Sequence, residues 1–93
     1  MGKFRVEVTK VAKKDIENHL KSGNKISINA IAKILIELTE TLFNGTGKPE
    51  ALKHEYSGYW SRRINQKDRL IYRVEESIIT VFVISALGHY SDK

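Results

Sequence analysis

Apolar and polar positions alternate from the start of the chain. Phe4, Val6 and Val8 point one way and Lys3, Arg5 and Glu7 the other, which predicts a half-buried strand. Thr9 then offers a helix N-cap, and Ala12, Ile16 and Leu20 recur every four residues, predicting a short helix that stops near Gly23. Ser27 reads as the next N-cap. After it Ile28, Ile31, Ala32, Leu35, Leu38 and Leu42 form a stripe at helical spacing, with Asn44-Gly45 as the stop. Ile34 and Ile36 fall off that stripe. Either the helix end lies buried under its neighbours or those two residues face a protein partner; the first reading carries more weight.

Beyond Gly45 the helical period is lost. Gly45, Gly47 and Pro49 mark a loop. Alternation returns over 59–65, with Trp60, Arg62 and Ile64 opposed to Tyr59, Ser61 and Arg63. It returns again over 69–74, with Leu70, Tyr72 and Val74 opposed to Arg69, Ile71 and Arg73. Gln66-Lys67-Asp68 and Glu75-Glu76-Ser77 read as turns. The run from Ile78 to Leu87 is almost continuously apolar and β-branched, which predicts a central strand covered on both faces. Gly88 breaks it. The order strand, helix, helix, then three strands joined by short turns gives an α+β fold. Its C-terminal sheet is antiparallel, has three or more strands and carries the helices on one face. The N-terminal strand is free to pair beside the later ones.

Ninety-three residues make one domain, spanning 1–93. Cysteine is absent, which removes disulfide scaffolds, zinc ribbons and thiol nucleophiles. No stretch approaches the ~20 apolar residues of a membrane helix, and the N-terminus has no apolar signal region. A soluble cytoplasmic protein is expected. The net charge of +5 draws the chain weakly toward polyanions. Its placement says more: six of the sixteen Lys and Arg residues lie between Gly45 and Arg69. His19, His54 and His89 share no helical metal spacing and no HExxH occurs, so neither metal nor cofactor is expected. Gly45-Thr46-Gly47-Lys48 lacks the spacing of a phosphate loop and follows a helix, not a strand.

Carboxylates, a histidine and several arginines suffice to cleave RNA without metal. RNA carries its own nucleophile, the 2′-OH. The protein must supply a base, an acid for the leaving 5′-oxygen, and cations for the charge that develops on phosphorus. A glutamate with an ordinary pKa of ~4.3 is ionised at neutral pH and suits the base. A histidine near ~6.5, raised by a phosphate, suits the acid. This chemistry does not by itself choose Glu50 over Glu55.

The ordered run Gly47-Lys48-Pro49-Glu50-Ala51-Leu52-Lys53, then Ser57-Gly58-Tyr59-Trp60-Ser61-Arg62-Arg63-Ile64, then Arg69-Leu70-Ile71-Tyr72 and the closing Gly88-His89-Tyr90, resembles the YoeB/Txe branch of the RelE toxin superfamily. The likeness covers roughly the second half of the chain; the first half matches in element layout, and the final strand runs longer than the family pattern. The resemblance implies a RelE-like α+β toxin of a type II toxin-antitoxin system, an mRNA endonuclease that works on the ribosome. It implies an acidic antitoxin as partner, operator DNA reached only through the antitoxin complex, and a homodimer among the assemblies open to the chain. Carried over residue by residue, it implies Glu50 as base, Arg69 as the phosphate-stabilising cation, and His89 and Tyr90 as the C-terminal catalytic pair.

Lys48, Lys53, Arg62 and Arg63 are expected to contact RNA through phosphates, which position without specifying sequence. Arg62 and Arg63 face opposite sides of one strand, so at most one lies on the catalytic face. Trp60 and Tyr72 are assigned to the core and His54 to a structural role. Plainer readings stand beside each site residue. Glu50 could be an exposed loop charge, Arg69 a surface partner of Glu75 or Glu76, His89 a solvated terminal residue and Tyr90 packing. Two competing functions follow: a non-catalytic nucleic-acid-binding module with aromatic platforms on its sheet, and a toxin that only binds its antitoxin and operator.

Overall fold

The computed structural model describes residues 3–40, 45–53 and 56–87. Strand β1 (Arg5–Val8) leads into helix α1 (Lys10–Ser22), which Thr9 caps by accepting a hydrogen bond from the Ala12 amide at 3.2 Å. Gly23 ends α1 at φ 74°, a left-handed conformation that costs glycine least. Helix α2 (Lys25–Glu37) starts one residue later. Its cap is Asn24, not Ser27: the Asn24 carboxamide oxygen accepts from the Ser27 amide at 3.1 Å. Ser27 sits one turn inside and is almost fully buried. Because the cap lies three residues earlier than expected, the inward face shifts too. Ile31, Ile34 and Leu38 enter the core, whereas Ala32 and Ile36 face outward. Ile34 and Ile36, grouped together by the sequence, thus lie on opposite sides of the helix. The helix also ends earlier, with Leu38 as C-cap, not at Asn44-Gly45.

Five strands form one mixed sheet in the order β1-β5-β4-β3-β2. They are β2 (Glu50–Ala51), β3 (Tyr59–Arg63), β4 (Arg69–Glu75) and β5 (Thr80–Ser85), with β1 on one edge. Neighbours pair antiparallel except β1 and β5, which run parallel with Arg5 beside Thr80 and Val8 beside Val83. Parallel pairing requires a crossover, and α1 and α2 provide it. The central place of β5 matches its apolar sequence, but the strand starts at Thr80. Glu76–Ile78 form a 3₁₀ turn, Ile79 takes φ 49°, and both Ile78 and Ile79 are exposed.

The core lies between the helices and one sheet face. Ala12, Ile31, Ile34 and Leu38 meet Leu70, Tyr72, Val81 and Val83, with Trp60 and Val74 packed around them. Among the described residues no helix covers the other face of β5, where cover on both sides was expected. There the Arg73 guanidinium lies 4.6 Å from the centre of the Phe82 ring. No helix among the described residues is long and apolar enough to cross a membrane.

Candidate active site

The face without helices carries the charged positions. Period-two alternation sends Trp60 and Arg62 to the core and Ser61 and Arg63 to the open side. The register then lines residues up across strands: Glu50 opposite Ser61 opposite Ile71, and in the next row Arg63 opposite Arg69. Directly opposed residues share a face. Glu50, Ser61, Arg63 and Arg69 accordingly line one cleft of about 290 Å3, closed by Lys48 and Pro49. All six come from the stretch with the dense basic charge; Ser61 is the one not expected beforehand to belong to a site.

Arg69 follows directly on a tight turn. The Asn65 carboxamide oxygen accepts from the Lys67 and Asp68 amides at 2.9 and 2.8 Å. Its nitrogen donates to Asp68 Oδ2 at 3.0 Å and to Ser27 Oγ at 2.7 Å. Ser27 therefore serves as the bolt between α2 and this turn. Arg69 Nη1 is buried and has no hydrogen-bond partner among the described residues. An unsatisfied buried donor costs about 1–3 kcal/mol, more for a charged group, so its persistence asks for a ligand. The expected alternative, an ion pair to Glu75, belongs instead to Arg73, whose Nη1 lies 3.0 Å from Glu75 Oε2.

Beside Arg63, Arg62 does something unlike the RNA contact expected of it. It is fully buried, and its Nη1 donates to Glu37 Oε1 at 2.7 Å while the guanidinium lies 5.7 Å from the centre of the Tyr72 ring. A cation with no exposed surface cannot meet a phosphate backbone. Glu37 also accepts from the Thr46 amide at 2.9 Å and the Thr46 hydroxyl at 2.8 Å. Burial pushes the Glu37 carboxyl up, but the two Thr46 bonds and the bond and charge of Arg62 together hold it below its ordinary range. Burial likewise raises the Tyr72 phenol, with Arg62 opposing.

This network ties α2, the loop before Pro49 and β3 together, and so places Glu50. Gly47 completes it. Its carbonyl accepts from the Arg63 amide at 2.7 Å, and a Cβ at this position, where φ is 84°, would stand 2.6 Å from the Arg63 carbonyl oxygen. Only glycine lets the loop approach the strand so closely. The signal for Glu37 and Thr46 as loop anchors was absent from local pattern, since the pairs are distant in sequence. The two glycines were its visible trace.

Lys53 is exposed and lies beyond the end of β2, apart from the residues that line the cleft. His89 and Tyr90 lie outside the described residues, as do His54 and Glu55. Among the described residues no group of three His, Cys, Asp or Glu side chains could hold a metal ion.

Residues 8–90 match the family described as YoeB-like toxin of bacterial type II toxin-antitoxin system. This chain belongs to that family. A curated YoeB toxin from Mycobacterium bovis is 43% identical over 69 residues, covering 74% of this chain and 79% of the relative. Among solved structures, a YoeB/ParE toxin from Agrobacterium tumefaciens superposes with a TM-score of 0.82 at 33% identity, covering 94% of this chain and all of the other. YoeB in a YoeB-YefM complex from Staphylococcus aureus gives 0.76 at 31% identity, covering 94% and 98%. The RelE-like α+β architecture expected from the sequence is therefore the fold of this YoeB-family chain, and the chain is a toxin of the type II toxin-antitoxin class.

Proposed function

We propose that this YoeB-family toxin is a ribosome-dependent mRNA endonuclease that cleaves by attack of the substrate's own 2′-OH. The observation that carries the reading is the buried, unpartnered Nη1 of Arg69 in the same cleft as Glu50. A carboxylate and a guanidinium kept apart, each with capacity to spare, suit two ends of one reaction.

Glu50 takes the proton from the 2′-OH. The freed oxygen attacks the adjacent phosphorus, and Arg69 donates to the non-bridging oxygens as negative charge grows on them. The P–O5′ bond breaks, and His89 gives its proton to the leaving 5′-oxygen. The products are a 2′,3′-cyclic phosphate and a 5′-OH, so atoms and charge balance without water or metal. Tyr90 is assigned to the same step. Arg63 and Lys48 line the cleft and hold flanking phosphates; Lys53 adds an exposed phosphate contact. The roles of His89 and Tyr90 rest on the resemblance of the closing Gly88-His89-Tyr90 to the family's end.

An acidic antitoxin that folds on contact is the partner this basic face suits, in keeping with the complex formed by the staphylococcal relative with YefM. The reading of a non-catalytic nucleic-acid module draws on a different row of the open face, where Tyr59 stands opposite Arg73 and Arg73 opposite Phe82. Bases could stack there.

A programmed-ribosome assay separates the two. Cleavage of the A-site codon, with a 2′,3′-cyclic phosphate at the new end and no sensitivity to chelator, is expected. A 2′-deoxy nucleotide at the scissile position should block it. Efficient cleavage of the deoxy substrate would overturn the mechanism, and binding without cleavage of either substrate would favour the non-catalytic reading.

A further inference from the structure

Outside the cleft, the end of β5 is anchored by bonds from Thr9 and helix α1. Strand β1 stops at Val8, beside Val83, and the Thr9 amide adds one more bond to the Val83 carbonyl at 3.1 Å. Past that point β5 has no strand neighbour on this side among the described residues. Helix α1 takes over with side chains. The Thr9 hydroxyl donates to the Ile84 carbonyl at 3.0 Å, Asp15 Oδ2 accepts from the Ala86 amide at 3.0 Å, and His19 Nε2 lies 2.7 Å from the Ala86 carbonyl. A carbonyl only accepts, so Nε2 carries the proton in this bond. Asp15 and His19 are four residues apart and so share a helix face. Between them they satisfy both backbone polar groups of one residue, Ala86, which has no exposed surface.

We propose that Asp15 and His19 are positioning residues: by gripping Ala86 they set the path of the chain that continues to His89 and Tyr90. The catalytic consequence of this grip rests on the nuclease reading; the grip itself does not. The geometry gives it a purpose. Antiparallel pairing of Glu75 with Thr80 and Ile71 with Ser85 means that β5 runs toward the Arg69 end of β4. From Ser85 to Glu50 the sheet row crosses Ile71 and Ser61, three strand spacings, or about 14 Å. Three residues from Ala86 to His89 span at most about 11 Å fully extended. The slack is small. A chain end loosened at Ala86 would hold a catalytic imidazole over the cleft for a smaller fraction of the time, and misplacement by about 1 Å can cost a hundredfold in rate.

The test uses the full chain with Asp15→Ala, Asp15→Asn, His19→Leu and His19→Gln. Asparagine can still accept from the Ala86 amide through its oxygen, and glutamine can still donate to the carbonyl. Asp15→Ala and His19→Leu should speed amide exchange at Ala86 about tenfold or more while Val81 stays protected. They should shift the NMR signals of the His89 ring and lower single-turnover cleavage about tenfold or more, with little change in the concentration of ribosomes needed for half-maximal rate. The Asn and Gln variants should stay within about threefold of wild type in each respect. Unchanged exchange at Ala86, or faster exchange with an unmoved His89 ring and wild-type cleavage, overturns the proposal. If Asp15→Ala does not fold, the His19 pair decides alone. Wild-type cleavage by His89→Gln would instead overturn the acid assignment; the exchange and ring-signal measurements on the α1 variants would still judge the grip.

Discussion

Arg62 and Arg63 are neighbours in sequence, identical in chemistry and opposite in fate. On the helix side Arg62 is completed by the protein: Glu37 neutralises it and the Tyr72 ring lies near it. On the open side Arg63 stands opposite Arg69 in register, with like charges side by side, and among the described residues neither forms an ion pair. Like charges directly opposed are destabilising in a sheet, and a buried donor on Arg69 remains without a partner. The same side chain thus serves stability where the fold supplies its counter-charge. Under the proposed function it serves the RNA phosphates where no such ion pair is made. For Arg62 and Arg63 the two fates follow from the parity of position on β3.

The largest effects should come from breaking that division at its two ends. Arg69→Ala should lower single-turnover cleavage by ~10²-fold or more and leave the unfolding midpoint near wild type or slightly higher, since an unsatisfied buried donor is removed. Lys should not restore the rate, because it lacks the planar fork. Arg62→Met should act chiefly on stability, with cleavage lowered only as far as the loosened Thr46 loop displaces Glu50. Removing one member of a buried pair costs up to about 3–5 kcal/mol, and the partly exposed Glu37 places this pair toward the lower part of that range. Denaturant melts beside cleavage rates would show the crossed pattern. Loss of stability in Arg69→Ala, or a soluble, stable Arg62→Met with normal thermal unfolding, would erase the distinction.

Gly47→Ala is expected to cost about 1–3 kcal/mol through strain at positive φ and through contact with the Arg63 backbone. It should also displace Glu50, lowering cleavage more than a surface Gly→Ala change at Gly58, where a Cβ would meet nothing within 4 Å. Next comes pH. The folded-state pKa of Glu37 is lowered, so its contribution to stability is fully present above the ordinary value of 4.5 and is lost as pH falls through the lower folded value. Glu37→Gln should flatten the acid limb of a stability-versus-pH curve in that window. A limb of unchanged steepness would assign acid sensitivity elsewhere. The smallest effect should be that of Lys53→Ala: weaker ribosome binding, with the salt dependence reduced by about one charge and the bound-state cleavage rate little changed.

Much of this was legible because the relevant signals are local. Period-two alternation separated Arg62 from Arg63 and put Trp60, Leu70 and Tyr72 inward. Thr9 and Gly23 bounded α1 correctly. Ser27 misled because a serine ahead of an apolar run looks like a cap, while Asn24, directly after a left-handed glycine, was the residue free to adopt extended backbone. That three-residue error turned the face of α2 and hid the core role of Ile34. The Ile78–Leu87 run looked like one strand because composition does not show where a chain turns; the left-handed Ile79 marks the break. Of the expected site, Glu50, Arg69, Arg63 and Lys48 converge on one cleft. Arg62 does not, because the burial of a cation depends on a carboxylate 25 residues away in sequence. Ser61, Asp15 and His19 were missed for the same reason: their roles are set by tertiary neighbours.

The sheet order carries a consequence in time. Among the described residues β5 is the last strand in sequence but an interior one in space, held between β4 and β1, the first in sequence; the Thr9–Ile84 bond joins residues 75 positions apart. During synthesis β1, both helices and the β3–β4 hairpin all emerge before the strand they must flank. They form a clasp with its pin missing. Contacts this distant cannot be rewarded until the intervening chain is closed, which makes them late events in folding. The sheet of a nascent chain is therefore closed onto β1 only once β5 has emerged.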